Sequence, residues 1–248
     1  MRPPNQLVYS RARVRPRYAL FPLEGYPLSR LPGFPQAEVR VLAAPALGAG
    51  FVQYLIDLPA RGEGDFASDD RIETFYYVLW GGGTFGGDHA IRPGSFGLIP
   101  PERPARFRAA DAATRLLVLR KRYEPAPGIA MFKPLHGQES DVKAEVWADN
   151  SHSRLQTLIP DEFQFDLNMN IFTFDPGFGL PYVETHVMEH GLLFLQGKGM
   201  YYLDGEWMEV EKDDFIWMGP YCPQSFYATG PTPSKYIYYK NVNREIPL

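Results

Sequence analysis

Among 248 residues there is one cysteine, Cys222. No intramolecular disulfide can form, and the fold needs no oxidising compartment. No apolar run approaches the roughly 20 residues that cross a bilayer. The opening Met1-Arg-Pro-Pro-Asn-Gln-Leu-Val-Tyr-Ser10 lacks the apolar stretch of a secretory signal. Formal charge is −4 with no dominant basic run, which excludes an electrostatic footprint for nucleic acid. The glycine clusters Gly81–Gly83 and Gly197-Lys-Gly199 lack P-loop spacing and read as turns. A soluble cytoplasmic protein is expected. Also absent is any long segment with a 3.6-residue apolar period, and with it a helical fold.

What remains is β-rich. Aromatic residues make up 15% of the chain, and 24 prolines and 23 glycines are dispersed along it. Aromatic side chains fit pleated half-buried surfaces, and many short strands need many turns. Strand-like runs include Phe51-Val-Gln-Tyr-Leu-Ile-Asp-Leu58, Ile72-Glu-Thr-Phe-Tyr-Tyr-Val-Leu-Trp80 and Phe165-Asp-Leu-Asn-Met-Asn-Ile-Phe-Thr-Phe174. The pattern predicts an all-β barrel or sandwich.

The second half repeats the first. Tyr77-Val-Leu-Trp-Gly81-Gly-Gly83-Thr-Phe85 aligns with Leu193-Phe-Leu-Gln-Gly197-Lys-Gly199-Met-Tyr201, and Arg92–Pro100 aligns with Glu211–Gly219. Arg115–Arg120 falls on Lys235–Lys240. A repeat of this length predicts a duplicated barrel. The expected division is an N-terminal arm (1–36), a first barrel (37–123), a linker (124–150) and a second barrel (151–248). The arm is expected either to pack on the body or a neighbouring subunit, or to be a solvated tail.

One segment gathers chemistry. Glu184-Thr-His186-Val-Met-Glu-His190, with Gln224 further on, offers a carboxylate, two imidazoles and an amide, a workable four-ligand set for a divalent metal. In a strand Glu184 and His186 share a face. A straight strand at about 3.3 Å per residue would carry His190 roughly 13 Å from His186. The chain must therefore bend between them for the site to exist. The first copy offers no such set, since the four positions fall on Ser68, Asp70, Thr74 and Ala105. A metal-free first barrel supporting a working second one is expected. His89, His136 and His152 read as surface residues, Cys222 and Met188 as packing, and Glu189 as structural, facing away from the ligands.

The spacing Glu184-x-His186-x3-His190-x6-Gly197 resembles the first motif of the cupin barrel, with carboxylate and imidazole exchanged at its ends. Gln224 stands at the histidine of the second motif, and Gly94-x5-Pro100 keeps part of that motif in the first copy. The resemblance implies a bicupin, two tandem jelly-roll-like barrels. The block Tyr182–Tyr201, the segment Trp217-Met-Gly-Pro-Tyr-Cys-Pro-Gln224 and the ending Tyr238-Tyr-Lys240-Asn-Val-Asn243-Arg244 are similar to the (S)-ureidoglycine aminohydrolase family. That resemblance implies metal-dependent hydrolysis of (S)-ureidoglycine to (S)-ureidoglycolate and ammonia, in purine breakdown through allantoin. Its metal ligands fall on Glu184, His186, His190 and Gln224, and its substrate contacts on Tyr201, Tyr236 and Lys240. Glu184 and Lys240 take the catalytic roles. Manganese is the implied cofactor, and the donor set also admits Fe²⁺ or another divalent ion. A homo-oligomer acting on a small molecule, without nucleic-acid or membrane partners, is implied as well. The alternatives are another metal-dependent cupin enzyme, such as a dioxygenase, and a non-enzymatic small-molecule-binding cupin.

Overall fold

In this computed structural model the described residues are 11–246. The first ten residues of the expected arm, and with them the reading of the N-terminus as no signal, lie outside that range. The all-β bicupin expectation is met: among the described residues the only helical pieces are three short 3-10 turns. No helix among them is long and apolar enough to cross a membrane.

Each barrel pairs a large sheet with a small one, all antiparallel. The first large sheet runs in the order Leu135–Gln138, Ser95–Ile99, Ile72–Trp80, Thr114–Arg122, Phe51–Leu58, Phe34–Ala43, Ser29–Leu31. Its small partner is Glu63–Phe66, Ala105–Ala109, Gly83–Phe85, His89–Ile91. The second large sheet runs Arg13–Val14, Tyr18–Phe21, Phe215–Met218, His190–Gln196, Ser234–Asn241, Leu167–Phe174, Asn150–Thr157, Glu145–Trp147. Glu206–Glu211, Lys198–Leu203 and Gln224–Ala228 close it.

Neither large sheet is one continuous stretch of chain. Tyr18–Phe21, from the arm, hydrogen-bonds along Phe215–Met218 of the second barrel. Tyr18, Ala19 and Leu20 are buried there, so this part of the arm is sheet and not a solvated tail. Leu135–Gln138, from the linker, returns to the edge of the first sheet. Each barrel is thus completed by chain from outside its own repeat.

The two large sheets pack face to face, so their central strands are buried on both sides and alternate between two apolar environments. In Ser234–Asn241, Tyr236 and Tyr238 enter the second barrel, whereas Ile237 and Tyr239 enter the core between the sheets. Leu116 and Val118 fill the first barrel, and Leu117 and Leu119 meet the same shared core. The approach is close beside His190. A Cβ on Gly191 would stand 2.2 Å from Gln53 Oε1 and 2.6 Å from Phe51 Cζ, so only glycine fits.

The repeat is visible in backbone conformation. Gly81 and Gly197 both adopt positive φ, +80° and +76°. Asp213 takes the left-handed corner (φ +72°) that Gly94 fills in the first copy (φ +82°). Strand register corrects one equivalence. Ala105 pairs with Phe66 as Gln224 pairs with Glu184, so the counterpart of Glu184 is Phe66, two residues from the expected Ser68. Two more residues separate Phe66 from Thr74 than separate Glu184 from His190, which shifts an ungapped alignment.

A buried ionic group joins the halves. Lys121 Nζ donates to Asp166 across the domain boundary and to Glu73 at 3.4 Å, and the exposures are 8%, 2% and 0%. Burial and the neighbouring Asp166 push the Glu73 carboxyl well above its ordinary range. Lys121→Met would leave these carboxylates without their cation. It is expected to cost about 3–5 kcal/mol in a denaturant titration, against under 1 kcal/mol for loss of the exposed Arg61–Asp111 pair.

Candidate metal centre

The four expected ligands and three expected substrate contacts all line one cavity of about 160 Å³ inside the second barrel. Its size suits a small metabolite, being below the several hundred Å³ typical of drug-sized ligands. The chain bends at Val187 and becomes regular strand again at His190, so the two rings meet: His186 Nε2 lies 3.2 Å from His190 Nε2. Glu184 and Gln224 form an antiparallel bridge, with reciprocal N–H···O bonds of 2.8 and 2.9 Å. Directly opposed residues project to the same face. His190 is paired in register with Lys240 on one side and Met218 on the other.

Donor chemistry can be tested atom by atom. His190 Nδ1 donates to the Tyr239 carbonyl at 2.9 Å, which leaves Nε2 as the bare lone pair. Burial, with His186 beside it, holds His190 down to about 3, so the ring stays neutral. Burial also lowers His186. His186 Nε2 lies 3.0 Å from the Gln224 amide nitrogen as well as near His190 Nε2. One ring nitrogen cannot accept a proton from the amide and donate one to its neighbour at once. A cation between them resolves the conflict. Two nitrogens on adjacent corners of an ion at roughly 2.0–2.1 Å stand about 3 Å apart, close to the separation here. A half-turn of the Gln224 amide would present its oxygen, with Tyr201 OH, 3.1 Å from Oε1, accepting from the nitrogen instead.

Glu184 is the looser member. Its carboxylate lines the cavity but has no hydrogen-bonded partner among the described residues. Burial pushes its pKa up, against the pull of Lys240. Accordingly, among the described residues no group of three or more His, Cys, Asp or Glu stands arranged to hold a metal ion; the close set is two imidazoles and an amide. Tyr201 and Tyr236 are buried, 1% and 2% exposed. Desolvation raises both hydroxyls well above the ordinary tyrosine value, and they remain protonated donors.

The surroundings hold the bent segment. The Glu189 carboxylate accepts from the Gly50 amide (3.0 and 3.2 Å) and from Trp217 Nε1 at 3.4 Å, and its own amide donates to Asn241 Oδ1 at 2.7 Å. It faces away from the cavity and braces the loop, its expected structural role. Tyr221, at φ +59°, donates its amide to the His186 carbonyl at 2.7 Å. Burial raises the Cys222 thiol to about 11, which keeps it an inert filler. Away from the site, His152 bonds Asp175 and stacks on Phe178, and exposed His136 meets Tyr76 OH at 3.0 Å.

Against curated proteins, the chain is 34% identical over 251 residues to (S)-ureidoglycine aminohydrolase of Escherichia coli K12, covering 98% of this chain and 96% of that one. The chain belongs to the (S)-ureidoglycine aminohydrolase family. The enzyme of the same name from Arabidopsis thaliana is 30% identical over 240 residues, covering 95% of this chain and 79% of that one. Among solved structures, protein YlbA from E. coli superposes with a TM-score of 0.84 at 33% identity, over 96% of this chain and 97% of that one. Bacillus subtilis oxalate decarboxylase superposes at 0.70 with 9% identity, over 92% and 78%, a likeness of fold. No protein-family model matches.

Sequence reasoning missed part of the wall. Trp147, on a strand inside the expected linker, lines the cavity. Its ring packs edge-on against Phe172, 5.4 Å between centroids, and its buried Nε1–H has no acceptor among the described residues. Only strand pairing across the large sheet carries it to the site, and no local pattern marks it. An orphaned buried donor costs about 1–3 kcal/mol, which an acceptor on a bound ligand would recover. Trp147→Phe is expected to raise KM roughly 5- to 100-fold with the melting temperature held or raised, as steady-state kinetics and thermal melts would report.

Proposed function

We propose that this protein is a metal-dependent (S)-ureidoglycine aminohydrolase, releasing ammonia from (S)-ureidoglycine and forming (S)-ureidoglycolate in purine catabolism. The observation that carries the metal dependence is the convergence of His186 Nε2, the bare His190 Nε2 and the Gln224 side-chain amide at 3.0–3.2 Å inside the cavity that Glu184 also lines. Glu184, His186, His190 and Gln224 would hold the ion. The mixed oxygen and imidazole set suits Mn²⁺, with Fe²⁺ or another divalent ion as substitutes. When bound, such an ion supplies Lewis acidity and lowers the pKa of water.

The chain's own residues bind and orient the substrate. Lys240 stands on the same barrel-facing parity as Tyr236 and Tyr238, and as a point charge it would pair with the substrate carboxylate. Tyr201 and Tyr236, kept protonated by burial, would donate to carboxylate or ureido oxygens. The apolar wall of Phe172, Leu180, Leu192 and Met218 excludes bulk water, which strengthens each of these polar contacts. Glu184, its pKa raised by burial against the electrostatic pull of Lys240, would supply the carboxylate ligand and, once ionised, negative charge within the cavity.

A homo-oligomer and a cytoplasmic location complete the proposal. Cupin barrels commonly pair through their sheets, and the lone buried cysteine asks for no oxidising environment. Sedimentation and fractionation would measure both.

With Mn²⁺ and freshly generated (S)-ureidoglycine, the purified protein is expected to release ammonia and yield one enantiomer of ureidoglycolate. Glu184→Gln and His190→Ala should lose bound metal, measured by elemental analysis, together with turnover. Turnover that survives metal loss would sink the metal-dependent mechanism, and oxygen uptake with the same substrate would favour a dioxygenase. Lys240→Met should keep its metal while kcat/KM falls roughly 10- to 100-fold, the worth of one charged hydrogen bond.

A further inference from the structure

The first barrel retains a cation where the second has Lys240. Arg120 pairs in register with Thr74 as Lys240 pairs with His190. Phe66 stands where Glu184 does and Ala105 where Gln224 does. Three of the four metal-ligand positions compared this way have lost their donors or, at Thr74, exchanged an imidazole for a hydroxyl. The positive charge has stayed.

Arg120 is half-buried on the wall of a cleft of about 510 Å³ that opens to solvent. Its guanidinium carbon sits 4.4 Å from the centre of the Phe66 ring. Among the described residues its side chain makes one hydrogen bond, from Nε to Thr74 Oγ1 at 3.3 Å. Arg11, Arg40, Arg115 and Arg154, similarly half-buried, each pair with an aspartate; Arg120 has no such ion pair among the described residues. Asp69 at the rim attracts it only at a distance, and Asp69 Oδ1 accepts from the Arg71 amide at 2.8 Å. Among the described residues both terminal guanidinium nitrogens are left without a protein acceptor. Partial desolvation of a guanidinium is less costly with a counter-charge, and its planar fork matches a carboxylate bidentately.

We propose that the first barrel holds a second, metal-free site for a small organic carboxylate, with Arg120 as its anion partner, Phe66 as the ring that holds the guanidinium plane, and Tyr54 and Ser68 on the cleft wall. The inference rests on the assignment of Lys240 as the carboxylate partner in the second barrel. It adds a ligand site to a half of the chain that otherwise only supports the other.

The probe is labelled N-carbamoylglycine, the substrate skeleton without the amine that leaves, measured by equilibrium dialysis against the Mn²⁺-loaded full chain. Wild-type protein is expected to bind two molecules per chain and Arg120→Met one, with Lys240→Met also retaining one. Arg120→Lys, which keeps the charge and loses the fork, should bind the second molecule more weakly and guards against a Met variant that fails to fold. A single site in wild type that Lys240→Met abolishes would overturn the Arg120 site and leave the active-site assignment standing. Two sites in Lys240→Met, falling to one when Arg120→Met is added, would support the Arg120 site and remove Lys240 from the active site. Two sites in a folded Arg120→Met protein would overturn the inference.

Discussion

Burial of both faces of the large sheets is the constraint on which the site depends. Where one face of a strand is buried a one-residue slip already exposes its apolar set, and here each side chain of a central strand must enter either a barrel or the core between the sheets. In Ser234–Asn241 this sends Tyr236, Tyr238 and Lys240 to the cavity and Ile237 and Tyr239 to the shared core. A one-residue slip would exchange the two sets and bury the lysine between apolar sheets. The same strand supplies the Tyr239 carbonyl that orients His190. Packing thus sets the tautomer of the imidazole as well as the position of the lysine.

The first barrel supports the second physically. Phe51 packs its ring 4.7 Å from Tyr239, and the Gly50 amide holds the Glu189 carboxylate at the foot of the bent segment. Lys121 and Asp166 lock the halves with a buried charge pair. The ligand-bearing loop is therefore braced from both domains, which is how an irregular backbone segment can keep two imidazoles converged before anything binds between them. Duplication freed one copy for this bracing while the other kept the ligands.

Much of this was legible in the primary structure. Turn residues, missing helical periodicity and an internal repeat were enough for a duplicated β-barrel, because strand period and turn chemistry are local properties. Glu184, His186, His190 and Gln224 stood out because ligand types clustered at a recognisable spacing, and Tyr201, Tyr236 and Lys240 through a family likeness; all seven line one cavity. Trp147 could not be found this way, since its approach depends on strand order across a sheet. The equivalence of Phe66 with Glu184 was hidden by a length difference that only register reveals. The arm's pairing with Phe215–Met218 has no local signature either, because any apolar strand of the right length could complete that edge.

By itself, the sequence determined the fold class, the duplication, the inequality of the two halves and the residue types able to hold a divalent ion, all consequences of local pattern and composition. Tertiary structure alone decided that Val187 bends the chain so that His186 meets His190, that Gln224 and Glu184 face each other across a bridge, and that Arg120 has no ion pair among the described residues. Those outcomes depend on long-range strand pairing, in which hydrogen bonds between distant segments select one register from many that the local pattern allows.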